Sequence, residues 1–80
     1  MDIKVLGTGC AKCRATEKGV KEVLAELGIN ADVEDVRDMA KIIQYKVMMT
    51  PGLVIDGKVV CSGHVPSKND LRKMILEAKG

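Results

Sequence analysis

Three of the 80 residues are cysteines, and two of them, Cys10 and Cys13, stand three apart with Ala11 and Lys12 between them. Residues three apart on a helix share a face, so the two sulfurs can meet in an intramolecular disulfide. The odd cysteine count argues against the fully paired framework of a small secreted protein. In a reducing compartment, a close pair of thiols points to catalysis or metal binding rather than to structure. The pair lies where an apolar run, Asp2 to Leu6, gives way through Gly7-Thr8-Gly9 to a helical pattern. A helix N-terminus carries unsatisfied N–H groups and a partial positive charge, which favour the Cys10 thiolate over its thiol. Lys12 and Arg14 add positive charge nearby. The thiolate is the attacking species in disulfide exchange, so a lowered pKa sets up reactivity. Cys13, a turn deeper, is placed to attack the resulting mixed disulfide and release the reduced substrate. Gly7 and Gly9 are read as letting the backbone turn tightly and keeping the Cys10 sulfur uncovered.

A CxxC pair is also half of a zinc site or a hook for a soft metal. Cys61-Ser62-Gly63-His64 could supply the other half of a Cys3His site. In the fold derived below, however, Cys61 ends a strand two places from the first. Strands lie ~4.8 Å apart, which puts the two pairs ~10 Å apart, too far for one zinc. A copper-chaperone-like domain has a similar size, but it would require β-α-β-β-α-β order. A metal-binding module or soft-metal chaperone is therefore the alternative to redox chemistry. Gly7-Thr8-Gly9 resembles the opening of a dinucleotide fingerprint, but Lys12 occupies the place of its third glycine.

The elements that must position the thiols follow from periodicity. Ile3, Val5 and Leu6 make Asp2 to Leu6 a short buried strand. A helix runs from about Cys10 to Leu27, burying Val20, Val23, Leu24 and Leu27, with Gly28 as its stop. Gly19 within it should cost about 1 kcal/mol relative to Ala. Asn30 to Val36 alternates as a second strand. Asp38 caps a short helix that turns Met39, Ile42, Ile43 and Val47 inward. Pro51 stands before a strand from Leu53 to Ile55. Asp56-Gly57 is a two-residue hairpin signal, and Lys58 to Ser62 returns. Ser67 and Asp70 form a capping box for a last helix with Leu71, Met74, Ile75 and Ala78 as its buried stripe. The predicted architecture is α/β, β-α-β-α-β-β-α, a mixed four-stranded sheet with helices on both faces.

Composition narrows the classes of function. The length suits one domain spanning 1–80. A net charge of +2 on scattered basic residues does not fit a dedicated nucleic-acid binder. With no Trp, no Phe and only Tyr45, there is no base-stacking platform. No apolar run approaches the ~20 residues that span a bilayer, and no signal-peptide pattern opens the chain. The expectation is a cytoplasmic monomer that binds neither nucleic acid nor membrane. Ten Val, six Ile, six Leu and five Met must fill the core. Met48 and Met49 are assigned to that core. Tyr45 is read as half-buried, Cys61 as a buried small hydrophobe in the fourth strand, and His64 as a solvated turn residue.

Taken together, Gly7-Thr8-Gly9-Cys10-Ala11-Lys12-Cys13, Thr50-Pro51-Gly52 and Asp56-Gly57 give the whole chain a resemblance to the thioredoxin/glutaredoxin superfamily. It is most similar to the small glutaredoxin-like thioredoxins, also called small redox-active disulfide proteins. The resemblance implies a thioredoxin-like fold and a thiol–disulfide oxidoreductase that reduces protein disulfides. It implies Cys10 as nucleophile, Cys13 as resolving thiol, and no cofactor beyond a redox-active Cys10–Cys13 disulfide. It further implies that Pro51 is a cis-proline facing the cysteines, with Thr50, Pro51, Gly9 and Lys12 forming the substrate-binding surface. Gly9 stands where typical thioredoxins carry Trp, and Lys12 where they carry Pro. The glutaredoxin glutathione site is only partly matched by Ser62-Gly63-His64 and Asn69-Asp70. The implied electron donor is thus a thioredoxin-reductase-type partner, with disulfide-containing proteins as substrates.

Overall fold

The computed structural model of the chain describes residues 1–9 and 11–79. The elements run β1 (Asp2–Leu6), α1 (Ala11–Leu27), β2 (Asp32–Val36), α2 (Met39–Gln44), β3 (Gly52–Ile55), β4 (Lys58–Ser62) and α3 (Lys68–Lys79). The order matches the sequence-derived one. Boundaries shift slightly: β2 starts at Asp32 rather than Asn30, and β3 at Gly52, directly after Pro51. The predicted helix start at Cys10 lies outside the described residues.

The sheet order is β2-β1-β3-β4. β1 is parallel to β2, with Val5 beside Asp35, and antiparallel to β3, with Leu6 beside Gly52. β3 and β4 form the hairpin, interrupted by a register shift between Leu53 and Val54. Asp56 and Gly57 both have positive φ (49° and 82°), the geometry a tight two-residue hairpin requires. The hairpin tip is tied to the start of β1, because the Asp2 amide donates to Asp56 Oδ1 at 2.8 Å and the Asp56 amide donates to the Asp2 carbonyl at 2.7 Å.

Alternation along the strands divides the core into two layers. Ile3, Val5, Leu53 and Ile55 face α1 and α3, meeting Val20, Val23, Leu71 and Ile75. Leu6, Val36 and Val54 face the opposite way and meet Ile42 and Val47 at α2. Helices therefore cover both faces, as expected. Gly19 has a packing reason: a side chain there would come within 3.0 Å of Leu71 Cδ1, so its absence lets α3 lie close on α1.

Five burial assignments are corrected. Met39 and Ile43 are exposed, because α2 has only six residues and contributes Ile42 alone to the core. Met48 and Met49 are 89% and 68% exposed, since the segment from Val47 to Thr50 buries only Val47 fully. Ala78, in the last turn of α3, is also exposed, and that helix buries only Leu71 and Ile75 fully. The expected helix caps are present. Asp38 accepts from the Ala40 amide at 2.9 Å, and the Asp70 amide donates to Ser67 Oγ at 3.1 Å.

Candidate active site around Cys13

Cys13 projects from the first turn of α1 and is 5% exposed. It lies under the chain leaving β1. A Cβ built on Gly7 would overlap the Cys13 sulfur and stand 3.1 Å from its Cβ. The same position is 3.7 Å from Thr50 Cβ. Gly7 is held in place by its amide, which donates to the Val36 carbonyl at 2.9 Å. Sheet order explains the meeting. β1 and β3 are antiparallel neighbours, so the end of β1 and the approach to β3 share one edge, and α1 opens over that edge. Gly7, Cys13 and Thr50 come together there although they are distant in sequence.

Thr50-Pro51 is a cis peptide bond, as the resemblance implied, and Pro51 is buried. The Pro51 carbonyl accepts from the Gly63 amide at 2.9 Å, which ties this segment to the end of β4. Gly9 has φ of 89°, and the Arg37 guanidinium lies against it, with Cζ 3.4 Å from where a Cβ would stand. Lys12 is exposed, and its carbonyl accepts from the buried Thr16 hydroxyl at 2.9 Å. Cys10 itself lies outside the described residues. Of the expected substrate-facing residues, Thr50 and Gly9 adjoin Gly7 and Cys13, whereas Lys12 points to solvent on the outer side of α1.

Gly7 was read as a turn residue that uncovers Cys10. Its positive-φ role falls to Gly9 alone, while Gly7 makes room for the Cys13 sulfur. Sequence reasoning missed three charged neighbours. Glu17, Asp35 and Arg37 line a crevice with Cys13 and Arg14. Glu17 was detectable, being one turn beyond Cys13 on the same helix face. Asp35 was not, because its place depends on the β1–β2 register.

The third thiol is separate from this group. Cys61 is half-buried in β4, packed against the α1/α3 side of the core, with its sulfur 3.4 Å from His64 Nε2. Burial, and secondarily the charge of Asp70, push its pKa above the ordinary thiol value. His64 is exposed beside Gly63, as expected, and Tyr45 is half-buried. Among the described residues, no group of three or more His, Cys, Asp or Glu side chains is arranged to hold a metal ion.

A four-stranded mixed sheet flanked by helices on both faces, with Cys13 in the first turn of the first helix and a cis X–Pro bond before β3, defines a thioredoxin-like fold. The chain matches the thioredoxin domain over residues 1–76 and belongs to that family. It is 39% identical to a thioredoxin of Methanothermobacter thermautotrophicus over 75 residues, covering 94% of this chain and 97% of that one. It is likewise 39% identical to a thioredoxin of Methanocaldococcus jannaschii over 80 residues, covering 96% of this chain and 92% of the relative. No described helix is long and apolar enough to cross a membrane.

Proposed function

We propose that this thioredoxin-family chain is a thiol–disulfide oxidoreductase that reduces protein disulfides, with Cys10 as nucleophile and Cys13 as resolving thiol. The observation that carries the reading is the placement of Cys13, shielded beneath Gly7 and beside Thr50 at the sheet edge where α1 begins. A shielded second thiol is poor at meeting external disulfides but well placed for an internal one. The family membership supports the same chemistry.

In the forward reaction the Cys10 thiolate attacks one sulfur of the substrate disulfide, and the other substrate sulfur leaves with the bonding electron pair. Cys13 then attacks Cys10, forming the Cys10–Cys13 bond and expelling the second substrate sulfur as a thiolate. The dithiol is oxidised by two electrons and the substrate disulfide is reduced by two. Thr50, Pro51, Gly9 and Lys12 are the proposed surface for the extended substrate segment. A thioredoxin-reductase-type partner in the cytoplasm is proposed to return the dithiol.

A redox titration against defined dithiothreitol ratios tests this, with free thiols counted by mass after alkylation. The expected result is one two-electron transition that joins Cys10 to Cys13 and leaves Cys61 alkylated throughout. Failure to form that disulfide at any ratio overturns the proposal. Stoichiometric metal in protein purified under reducing conditions would then favour the metal-binding alternative.

A further inference from the structure

Cys61-Ser62-Gly63-His64 takes no part in the dithiol chemistry, yet the fold closes it into a two-pronged donor set. Cys61 Sγ stands 3.4 Å from His64 Nε2. Gly63, with φ of 84°, turns the chain back on itself, and its amide donates to the Pro51 carbonyl at 2.9 Å. The turn that brings the imidazole to the sulfur is therefore set by the backbone. Zinc holds a thiolate sulfur at about 2.3 Å and an imidazole nitrogen at about 2.0–2.1 Å, so two such ligands at the tetrahedral angle stand about 3.6 Å apart. The observed separation lies within about 0.2 Å of that bite. Both side chains line a solvent-open hollow beside α3 together with Asp70, Lys73 and Glu77, whose two acids and one base favour a cation.

One chain supplies two of the four positions that zinc requires. Among the described residues, no third His, Cys, Asp or Glu side chain completes a cluster with them. β4 is the outermost strand of the sheet, so Cys61 meets Leu53 on one side and, among the described residues, no strand on the other. His64 is exposed beside it. We propose that two copies of this chain share one zinc ion through Cys61 and His64 of each, a Cys2His2 site on a two-fold axis at the β4 edge.

Two β4 edges that approach antiparallel with Cys61 opposite Cys61 set the cysteine Cβ atoms about 4.5–5.5 Å apart. Two thiolate sulfurs on one tetrahedral zinc stand about 3.8 Å apart, a separation those Cβ positions allow. In that register Lys58, the only charged residue of the strand, does not face its own counterpart. The charges close as well. Each Cys61 thiol releases its proton to solvent, and two thiolates with two neutral imidazoles balance the dication. A neutral centre costs less to enclose between two protein surfaces than an uncompensated charge. The site is independent of Cys10 and Cys13, so zinc binding there neither supports nor weakens the dithiol chemistry.

The test uses the full chain carrying Cys10→Ser and Cys13→Ser, which leaves Cys61 as its only thiol, kept reduced by a phosphine and stripped of metal by a chelator. Zinc chloride is then titrated in at neutral pH while the mass is followed by sedimentation equilibrium. The mass should double, saturate at one zinc per two chains, and return to the monomer value when chelator is added. Cobalt(II) in place of zinc should give the intense visible bands of a tetrahedral ion with thiolate-to-metal absorption in the near ultraviolet. Adding Cys61→Ser or, separately, His64→Ala should weaken zinc-dependent pairing at least about a hundredfold, because either change removes two of the four ligands. If Cys61→Ser fails to fold by circular dichroism, His64→Ala, at an exposed position, carries the test alone. A chain that stays monomeric at saturating zinc overturns the inference, as does zinc bound at one per chain or pairing that survives His64→Ala.

Discussion

Gly7 and Cys13 are in mutual contact at the junction of sheet and helix, so tightly that any side chain at position 7 would occupy the space of the Cys13 sulfur. The Gly7 amide is committed to the Val36 carbonyl, so the backbone cannot easily withdraw. The glycine is required for space rather than for an unusual φ.

Gly7→Ala should therefore destabilise the protein by about 1–3 kcal/mol, the usual cost of overpacking a close-packed site. Urea denaturation would show a lower midpoint with an unaltered slope. An unchanged midpoint would mean that Cys13 can rotate clear of the added methyl group.

The two thiols of the CxxC pair should respond differently to substitution. Cys10→Ser is expected to reduce turnover of a protein disulfide to the uncatalysed rate. Cys13→Ser should retain the first attack and accumulate a mixed disulfide through Cys10, visible as an adduct by intact mass. Retention of full turnover by Cys10→Ser would refute the assigned order of attack.

Cys61 should be the slow thiol. Burial first, and Asp70 second, raise its pKa above the ordinary thiol value of 9.0. Its alkylation near pH 8 is expected to be slower in the folded protein than in urea, and faster in Asp70→Asn than in the parent. The linkage sign follows. A thiol whose folded pKa is raised contributes stability that is fully present below the unfolded thiol pKa and lost as pH climbs past it. Thermal melts should accordingly show Cys61→Ser narrowing the stability loss above about pH 9.

Acid should loosen the α1–α3 contact. Lys68 bridges Glu22 at 2.6 Å and Glu26 at 3.4 Å, and Arg72 reaches Glu26 at 3.0 Å. Hydrogen bonds from Lys68 hold Glu22, and those from Arg72 and Lys68 hold Glu26, below the ordinary value of 4.5. Carboxylates with depressed folded pKa values contribute stability present above the unfolded value and lost as pH falls through the folded one. Melting temperature should drop below about pH 4.5. Glu26→Gln should blunt that drop, and because these groups are solvent-exposed, high salt should blunt it too.

Most of the element order is legible in the sequence because its signals are local. Gly28 stops α1, Asp38 and Ser67 cap α2 and α3, and Asp56-Gly57 closes the hairpin, each through chemistry within a few residues of itself. The CxxC pair after the β1 run likewise marks the thiols proposed to react without any tertiary information. Local pattern failed where burial depends on what lies opposite. Met39, Ile43, Met48 and Met49 are apolar, but α2 and the segment after it face the sheet with only Ile42 and Val47. Apart from Glu17, one helical turn away, the surroundings of Cys13 were decided by tertiary structure. The antiparallel pairing of β1 with β3 brings Thr50 to Gly7, and the parallel register of β1 with β2 brings Asp35 to the side of Glu17. A strand register is a long-range agreement between two segments, and neither segment states it by itself. The sequence by itself singled out the two sulfurs proposed to react. Only the packing of three strands and one helix determined which groups shield Cys13 and which carboxylates stand beside it.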